Sequence, residues 1–327
     1  MRMKALQVTH PRSFDLMEVP IPRLPSGADD RILVRTAFVS MCGSDIPFFT
    51  GSKRLKSYPL APGAPIHECV GVVVESASDL FHAGDRVLAI PAGDQGLAEY
   101  FIARSSRTTA LGADIRDPGA ACIIQPLSTI MNAVDRLGAL RGRPVAVLGL
   151  GSIGLLFCWL LRRAGAGPVV GIDPVPGRCR IAESLGAART LCRRGIEMVH
   201  ATRLNPDQWI FPDICIEAVG HQMETVNDCL MLVGKYGTVV AFGVPDQDVY
   251  ALEYEVFFRK NAQLMATVTP DWKVYLERAR DLFLENSEEL SRLVTHRFPI
   301  QEADKAFGMY ERHEEGILKA ILDARCW

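Results

Sequence analysis

The chain has 327 residues, with 36 Lys plus Arg against 38 Asp plus Glu and a formal net charge of −2. That length suffices for two domains with cores of their own, and so even a charge balance leaves no basic footprint for nucleic acid. The apolar stretch Ile153–Leu161 spans nine residues before Arg162-Arg163 closes it, which is too short to cross a bilayer. A small molecule is therefore the expected partner, rather than nucleic acid or membrane. The N-terminal Met-Arg-Met-Lys-Ala-Leu-Gln-Val reads as a strand and not as a signal peptide. Nine scattered cysteines without a Cys-x-x-Cys pair argue against a compact structural zinc site and fit a reducing cytoplasm.

In the first third, Ile32–Val39, Cys69–Glu75 and Arg86–Ile90 read as strands, with Gly84-Asp85 turning into the last. From about Arg143 the pattern alternates. Strands are expected at Pro144–Leu148, Pro168–Ile172, Ile214–Ala218 and Thr238–Phe242, and helices at Ile153–Arg163, Gly177–Leu185 and Met223–Leu232. Such alternation predicts a doubly wound parallel sheet. A helix over Trp272–Asn286, a strand over Thr295–Ile300 and a last helix-strand pair complete the chain.

Two patterns carry chemistry. Gly149-Leu-Gly-Ser-Ile-Gly154 follows a strand and opens a helix, the setting in which a glycine turn holds a dinucleotide pyrophosphate. Asp173 closes the next strand, where a carboxylate accepts both ribose hydroxyls of NAD and repels a 2′-phosphate; the bland alternative is a helix cap. Pro174-Val175-Pro176 follows, so no guanidinium is expected beside it, and Arg178 is the nearest cation, placed to stack on adenine. Upstream, Cys42-Gly-Ser-Asp45 and His67-Glu68 supply a thiolate, an imidazole and a carboxylate, ligand types that suit Zn²⁺. Taken singly, Cys42 and His67 also read as core residues and Glu68 as a solvated charge.

With His67-Glu68-x-x-Gly71, Gly84-Asp-Arg-Val87, Ala98-Glu-Tyr100, Gln125-Pro-Leu-Ser128, Glu217-Ala-Val-Gly220 and Gly237-Thr-Val-Val240, the chain resembles the zinc-dependent medium-chain dehydrogenase/reductases over essentially its whole length. Within them it is most similar to the sorbitol, threonine and sugar dehydrogenases. The resemblance implies an α/β protein with a GroES-like β-barrel catalytic domain (residues 1–125), a Rossmann doubly wound parallel sheet (126–267) and a C-terminal return to the catalytic domain (268–327). It implies Cys42 and His67 as zinc ligands, Glu68 as a carboxylate that either binds zinc or approaches and leaves it, and Asp45 orienting His67. Ser44 then takes the substrate proton. Gly149, Gly151, Ser152, Ile153, Gly154, Asp173, Arg178, Val219, Gly243 and Val244 are the implied nucleotide contacts. Phe48, Phe49, Lys53 and Arg54 fall in a loop implied to line the substrate cleft, and the cations there are either an anion site or plain solvated surface.

Three residues depart from the group: Ile66 where it has Gly, Gln125 where it has a zinc-reaching Glu, and Pro47 where many members have a proton-passing His. Gln125 is thus a weak ligand or one acting through water. The four-cysteine structural lobe is missing, so one zinc per chain is expected. The activity so implied is reversible NAD-dependent oxidation of a secondary alcohol, polyol or sugar hydroxyl to its ketone by a cytoplasmic homodimer or homotetramer, with Thr238–Phe242 as a candidate edge strand. The alternatives are a zinc-free NADPH quinone or enoyl reductase and a catalytically inactive nucleotide-binding homologue.

Overall fold

Strands rich in β-branched and aromatic residues build the first part of the chain. The structure is a computed structural model that describes residues 1–25, 30–51 and 57–327. β1 (Arg2–His10) and β2 (Ser13–Pro20) form an antiparallel pair. β3 (Arg31–Ser40) runs into a tight turn and the short helix α1 (Ile46–Thr50). β4 (Glu68–Ser76), β5 (Arg86–Pro91) and β6 (Tyr100–Ala110) then follow antiparallel, each beside the last. β6 returns to pair with β3, from Arg31↔Arg104 to Arg35↔Tyr100, and so closes a four-stranded barrel. Closure leaves the four strands without a free edge. Its interior is filled by residues such as Ile32, Val34, Val73, Val87 and Phe101.

Contacts divide the chain into residues 1–128 with 271–327 as one unit, and residues 129–270 as the other. The boundary falls inside α2 (Ile124–Arg136). In the second unit β7 (Val145–Leu148) leads through the glycine turn into α3 (Ser152–Arg163), whose residues from Gly154 to Leu161 are all buried. Then come β8 (Val169–Ile172), α4 (Pro176–Ser184), β9 (Arg189–Leu191), α5 (Gly195–Leu204) and β10 (Ile214–Glu217). α6 (Glu224–Leu232), β11 (Thr238–Ala241), α7 (Tyr254–Lys260) and β12 (Gln263–Ala266) finish the unit. All neighbouring strands are parallel, in the order β12-β11-β10-β7-β8-β9.

The order reverses between β7 and β10, and ligands of such sheets bind beyond the carboxyl ends of strands at that point. Two glycines make the approach possible. Gly149 has φ +92°, and a Cβ on Gly154 would meet the Gly149 carbonyl oxygen at 1.8 Å. The expected edge strand at Thr238–Phe242 is corrected: β11 is interior, because β12, unrecognised in the sequence, pairs along its outer side.

The C-terminal segment belongs to the first unit. Asp271 caps α8 (Trp272–Glu285) by accepting the Val274 N–H. α9 (Ser287–Ser291), β13 (Val294–Pro299), α10 (Ala303–Arg312) and β14 (Lys319–Asp323) follow. β14 pairs antiparallel with the end of β3, Ile321 opposite Ser40. That register brings Lys319 beside the turn that follows β3. Among the described residues no helix is long and apolar enough to cross a membrane.

Candidate active site

The turn after β3 is organised by one buried carboxylate. Asp45 Oδ2 accepts the Cys42 backbone N–H at 2.7 Å, and Oδ1 lies 3.1 Å from His67 Nδ1. This single side chain therefore fixes the Cys42 turn and orients the imidazole, leaving Nε2 as the ring nitrogen free to bind a ligand. Ligand atoms of Cys42, His67 and Glu68 all lie within 4.8 Å of one another. Zn²⁺ binds N, S and O donors at about 2.0–2.3 Å, so tetrahedral neighbours stand roughly 3–4 Å apart. The donor set fits zinc in kind, and the span needs only a small closure. Burial opposes the charged form of His67, but the charge and hydrogen bond of Asp45, and then Cys42, hold its pKa well above the usual value.

Glu68 has a partner that the sequence reading did not foresee. Lys319 Nζ donates to Glu68 Oε1 at 2.6 Å and to the Met41 carbonyl at 3.0 Å, and Ser40 Oγ donates to Glu68 Oε2. Lys319 is 1% exposed and Glu68 0%. Although burial opposes its charge, the Glu68 carboxylate raises the Lys319 pKa above its ordinary value. Both Glu68 oxygens are thus engaged by protein donors, and Cys42 and His67 present the freer ligand atoms. The sequence signal for Lys319 was a lone charge inside the apolar run Ile317-Leu-Lys-Ala-Ile-Leu322.

Ser44 sits in the same turn and is partly exposed. Gln125 lies in the first turn of α2, 6% exposed, and its backbone carbonyl accepts a hydrogen bond from Ser128 Oγ at 2.6 Å. Phe48 is 42% exposed. Phe49 is corrected: at 1% exposure its ring lies in the core, stacked on Phe14 with centroids 5.3 Å apart and tilted against Phe307 at 5.0 Å. Consecutive helical residues point in different directions, so one Phe faces out and the next faces in. Lys53 and Arg54 lie outside the described residues.

In the second unit the Leu150 N–H of the glycine turn donates to Asp173 Oδ2 at 2.8 Å, and the Val175 N–H to Oδ1 at 2.8 Å. Asp173 is not the cap of α4, whose N-cap position is Val175. A guanidinium does stand beside Asp173, contrary to expectation. The first turn of α4 folds Arg178 back, with one guanidinium nitrogen 3.6 Å from Oδ2. Gly149, Gly151, Ser152, Ile153 and Gly154 form the turn and the start of α3 at the end of β7.

Glu217, quoted in the sequence only as part of a motif, is the organiser at the end of β10. Its Oε1 accepts the N–H groups of Val219 and Gly220, both at 2.9 Å, and Thr225 Oγ1 at 2.8 Å. Its Oε2 accepts the Gly243 N–H at 3.1 Å. The loops after β10 and β11, which carry Val219, Gly243 and Val244, are thereby tied to one buried carboxylate. Gly220 packs so closely on Val244 that a Cβ would meet the Val244 nitrogen at 2.9 Å.

A family model described as glucose dehydrogenase C-terminus matches residues 120–323, and one described as alcohol dehydrogenase GroES-like domain matches residues 28–120. The chain is 27% identical to D-altritol 5-dehydrogenase of Agrobacterium fabrum, over 92% of this chain and 94% of that one. It is 26% identical to L-threonine 3-dehydrogenase of Caldanaerobacter subterraneus, over 96% of each. Among solved structures it resembles a candidate zinc-binding dehydrogenase of Sinorhizobium meliloti bound to NADP. The TM-score is 0.81 at 24% identity, covering 99% of this chain and 100% of that one. With the two family models running together from residue 28 to residue 323, the chain belongs to the zinc-type medium-chain dehydrogenases, a family of oxidoreductases.

Proposed function

We propose that the protein interconverts a secondary alcohol, polyol or sugar hydroxyl and its ketone, using one zinc per chain and NAD in preference to NADP. The observation that carries this reading is the Asp45-oriented His67 facing Cys42 and Glu68 within 4.8 Å. Zinc held by Cys42, His67 and Glu68 would supply a Lewis acid for the substrate hydroxyl, and a nucleotide held by the second unit would supply the hydride acceptor. Ser44 receives the hydroxyl proton. Since Pro47 offers no side-chain base, that proton would leave through water or a ribose hydroxyl of a bound nucleotide. Asp45 keeps the imidazole in register, and Glu217 holds the loops of Val219, Gly243 and Val244 where they meet the nucleotide.

Asp173 binds the ribose hydroxyls, and its charge disfavours a 2′-phosphate. The Arg178 guanidinium moderates that preference, so the discrimination is expected to be partial. A homo-oligomer in the cytoplasm belongs to the same reading; β12, the sheet edge, is the element for a second copy to pair with.

The test is zinc content per chain on protein purified without chelator, with reduction of NAD and NADP followed over polyols, sugars and secondary alcohols. About one zinc with turnover on a panel member supports the proposal. Failure to take up zinc on reconstitution, together with no turnover, would falsify it.

A further inference from the structure

We propose that Cys179 and Cys192 form an oxidisable dithiol beside Asp173, and that their disulfide weakens nucleotide binding. The two cysteines come from facing elements in register. Along a strand, side chains two apart share a face, and on a helix those four apart do. Thr190 and Cys192, in and just after β9, therefore face the same way, as do Cys179 and Glu183 on α4. Thr190 Oγ1 donates to Glu183 Oε1 at 2.6 Å, which fixes one rung between the two elements. The second rung is the thiol pair, Cys179 on α4 and Cys192 just after β9. Each thiol also meets a carbonyl of the loop that closes β8: Cys179 Sγ lies 3.4 Å from the Asp173 oxygen, and Cys192 Sγ 3.4 Å from the Pro174 oxygen.

The roles divide by exposure. Cys192 is exposed and Cys179 buried, and burial first, then the neighbouring Cys192, raises the Cys179 thiol pKa. With hydrogen peroxide as oxidant, the Cys192 thiolate attacks a peroxide oxygen. An S–O bond forms, the O–O bond breaks, and the departing hydroxide takes a proton to become water. The Cys179 sulfur, giving up its proton, then attacks the Cys192 sulfur. The S–S bond forms, the S–O bond breaks, and a second water leaves. Two thiols lose two electrons and two protons while one peroxide becomes two waters.

The disulfide removes both S–H donors from the carbonyls of Asp173 and Pro174 and tethers α4 to the segment after β9. The loop that aims the Asp173 carboxylate moves with them. The effect on nucleotide rests on the proposed role of Asp173; the dithiol itself does not.

The test uses the full chain, reduced and then treated with peroxide, with peptide masses and NADH affinity measured on the same samples. The expected product is a cross-linked peptide pair about 2 Da lighter than the free thiols and reversed by dithiothreitol. NADH affinity is expected to fall about fivefold, the scale of one net hydrogen bond. Cys192→Ser and Cys179→Ser, which keep a hydroxyl donor at each position, should each bind NADH like the reduced protein and keep that affinity after peroxide. A Cys192 sulfinic acid, about 32 Da heavier and without a cross-link, overturns the dithiol. A cross-link with unchanged affinity overturns its consequence for the nucleotide. Reduced protein that binds no NADH defeats the cofactor reading and the affinity claim with it, while the peptide masses still decide the dithiol.

Discussion

Replacing Lys319 by Met removes the only cation paired with Glu68 among the described contacts, without adding volume to the core. In the native protein the ammonium serves the Glu68 carboxylate and the Met41 carbonyl, at 2.6 and 3.0 Å. Met offers neither interaction. Glu68 is then left in a site with 0% exposure and only the Ser40 hydroxyl as donor. Removing one partner of a buried ion pair costs about 3–5 kcal/mol, because the remaining charge stays desolvated. Replacing both partners by apolar residues is often neutral or stabilising, by about 1–4 kcal/mol. The expected order of stability is therefore Lys319→Met well below wild type, with Glu68→Leu plus Lys319→Met recovering most of the loss.

Pulse proteolysis in urea on metal-free protein measures this. The Lys319 pKa is raised in the fold, so its contribution is complete below the unfolded lysine value and is lost only as pH rises through the folded one. The penalty should then be the same at pH 6 and pH 8. A loss under about 1 kcal/mol for Lys319→Met, or a double variant no better than the single, would refute the argument that this pair is a closed buried unit. Zinc gives a second reading. Lys319→Met frees a Glu68 oxygen, so added zinc should stabilise the variant more than the wild type.

Other predictions follow from the same geometry. Because the His67 pKa is held well above its ordinary value, zinc must displace a proton there even at neutral pH. Zinc affinity should fall about tenfold per pH unit for each such proton as pH drops through that range. Calorimetry in buffers of different ionisation enthalpy counts the protons, and a pH-independent affinity would count against the assignment. Asp45→Asn should weaken zinc binding about 10–100-fold, measured by chelator competition, by removing the carboxylate partner of Nδ1. Asp173→Ala should shift the ratio of kcat/KM for NAD and NADP toward NADP, because the charge that disfavours a 2′-phosphate is gone; an unchanged ratio would remove Asp173 from the ribose. Lys260 Nζ donates to the carbonyls of Leu230, Met231 and Val233 at 2.9, 2.7 and 2.6 Å. Lys260→Met should thus lower stability by about 1–3 kcal/mol in urea, with no change in zinc content.

The barrel and the sheet were legible because their signals are local. Apolar, β-branched runs such as Ile32–Val39 and Cys69–Glu75, set off by glycine turns, mark elements that burial alone dictates. The shorter pieces escaped. β9 has three residues and β12 four, too few to show a period, and β12 offers little apolar contrast because much of it faces outward. Missing β12 had a direct consequence, since it made β11 look like an edge.

The site divides along the same line. Cys42, Asp45 and His67 were recognised because motif residues sit close in sequence to the turn and the strand that position them. Lys319 was not, because its partner Glu68 is 251 residues away and only the pairing of β14 with β3 brings the two together. Phe49 failed for the opposite reason. Its neighbour Phe48 has the same chemistry, and only the helical direction of each side chain separates a cleft wall from a core residue. Spacing reports which residues a site can use. Whether a buried carboxylate faces a metal or a lysine depends on long-range pairing, and for Glu68 that pairing has already engaged both oxygens.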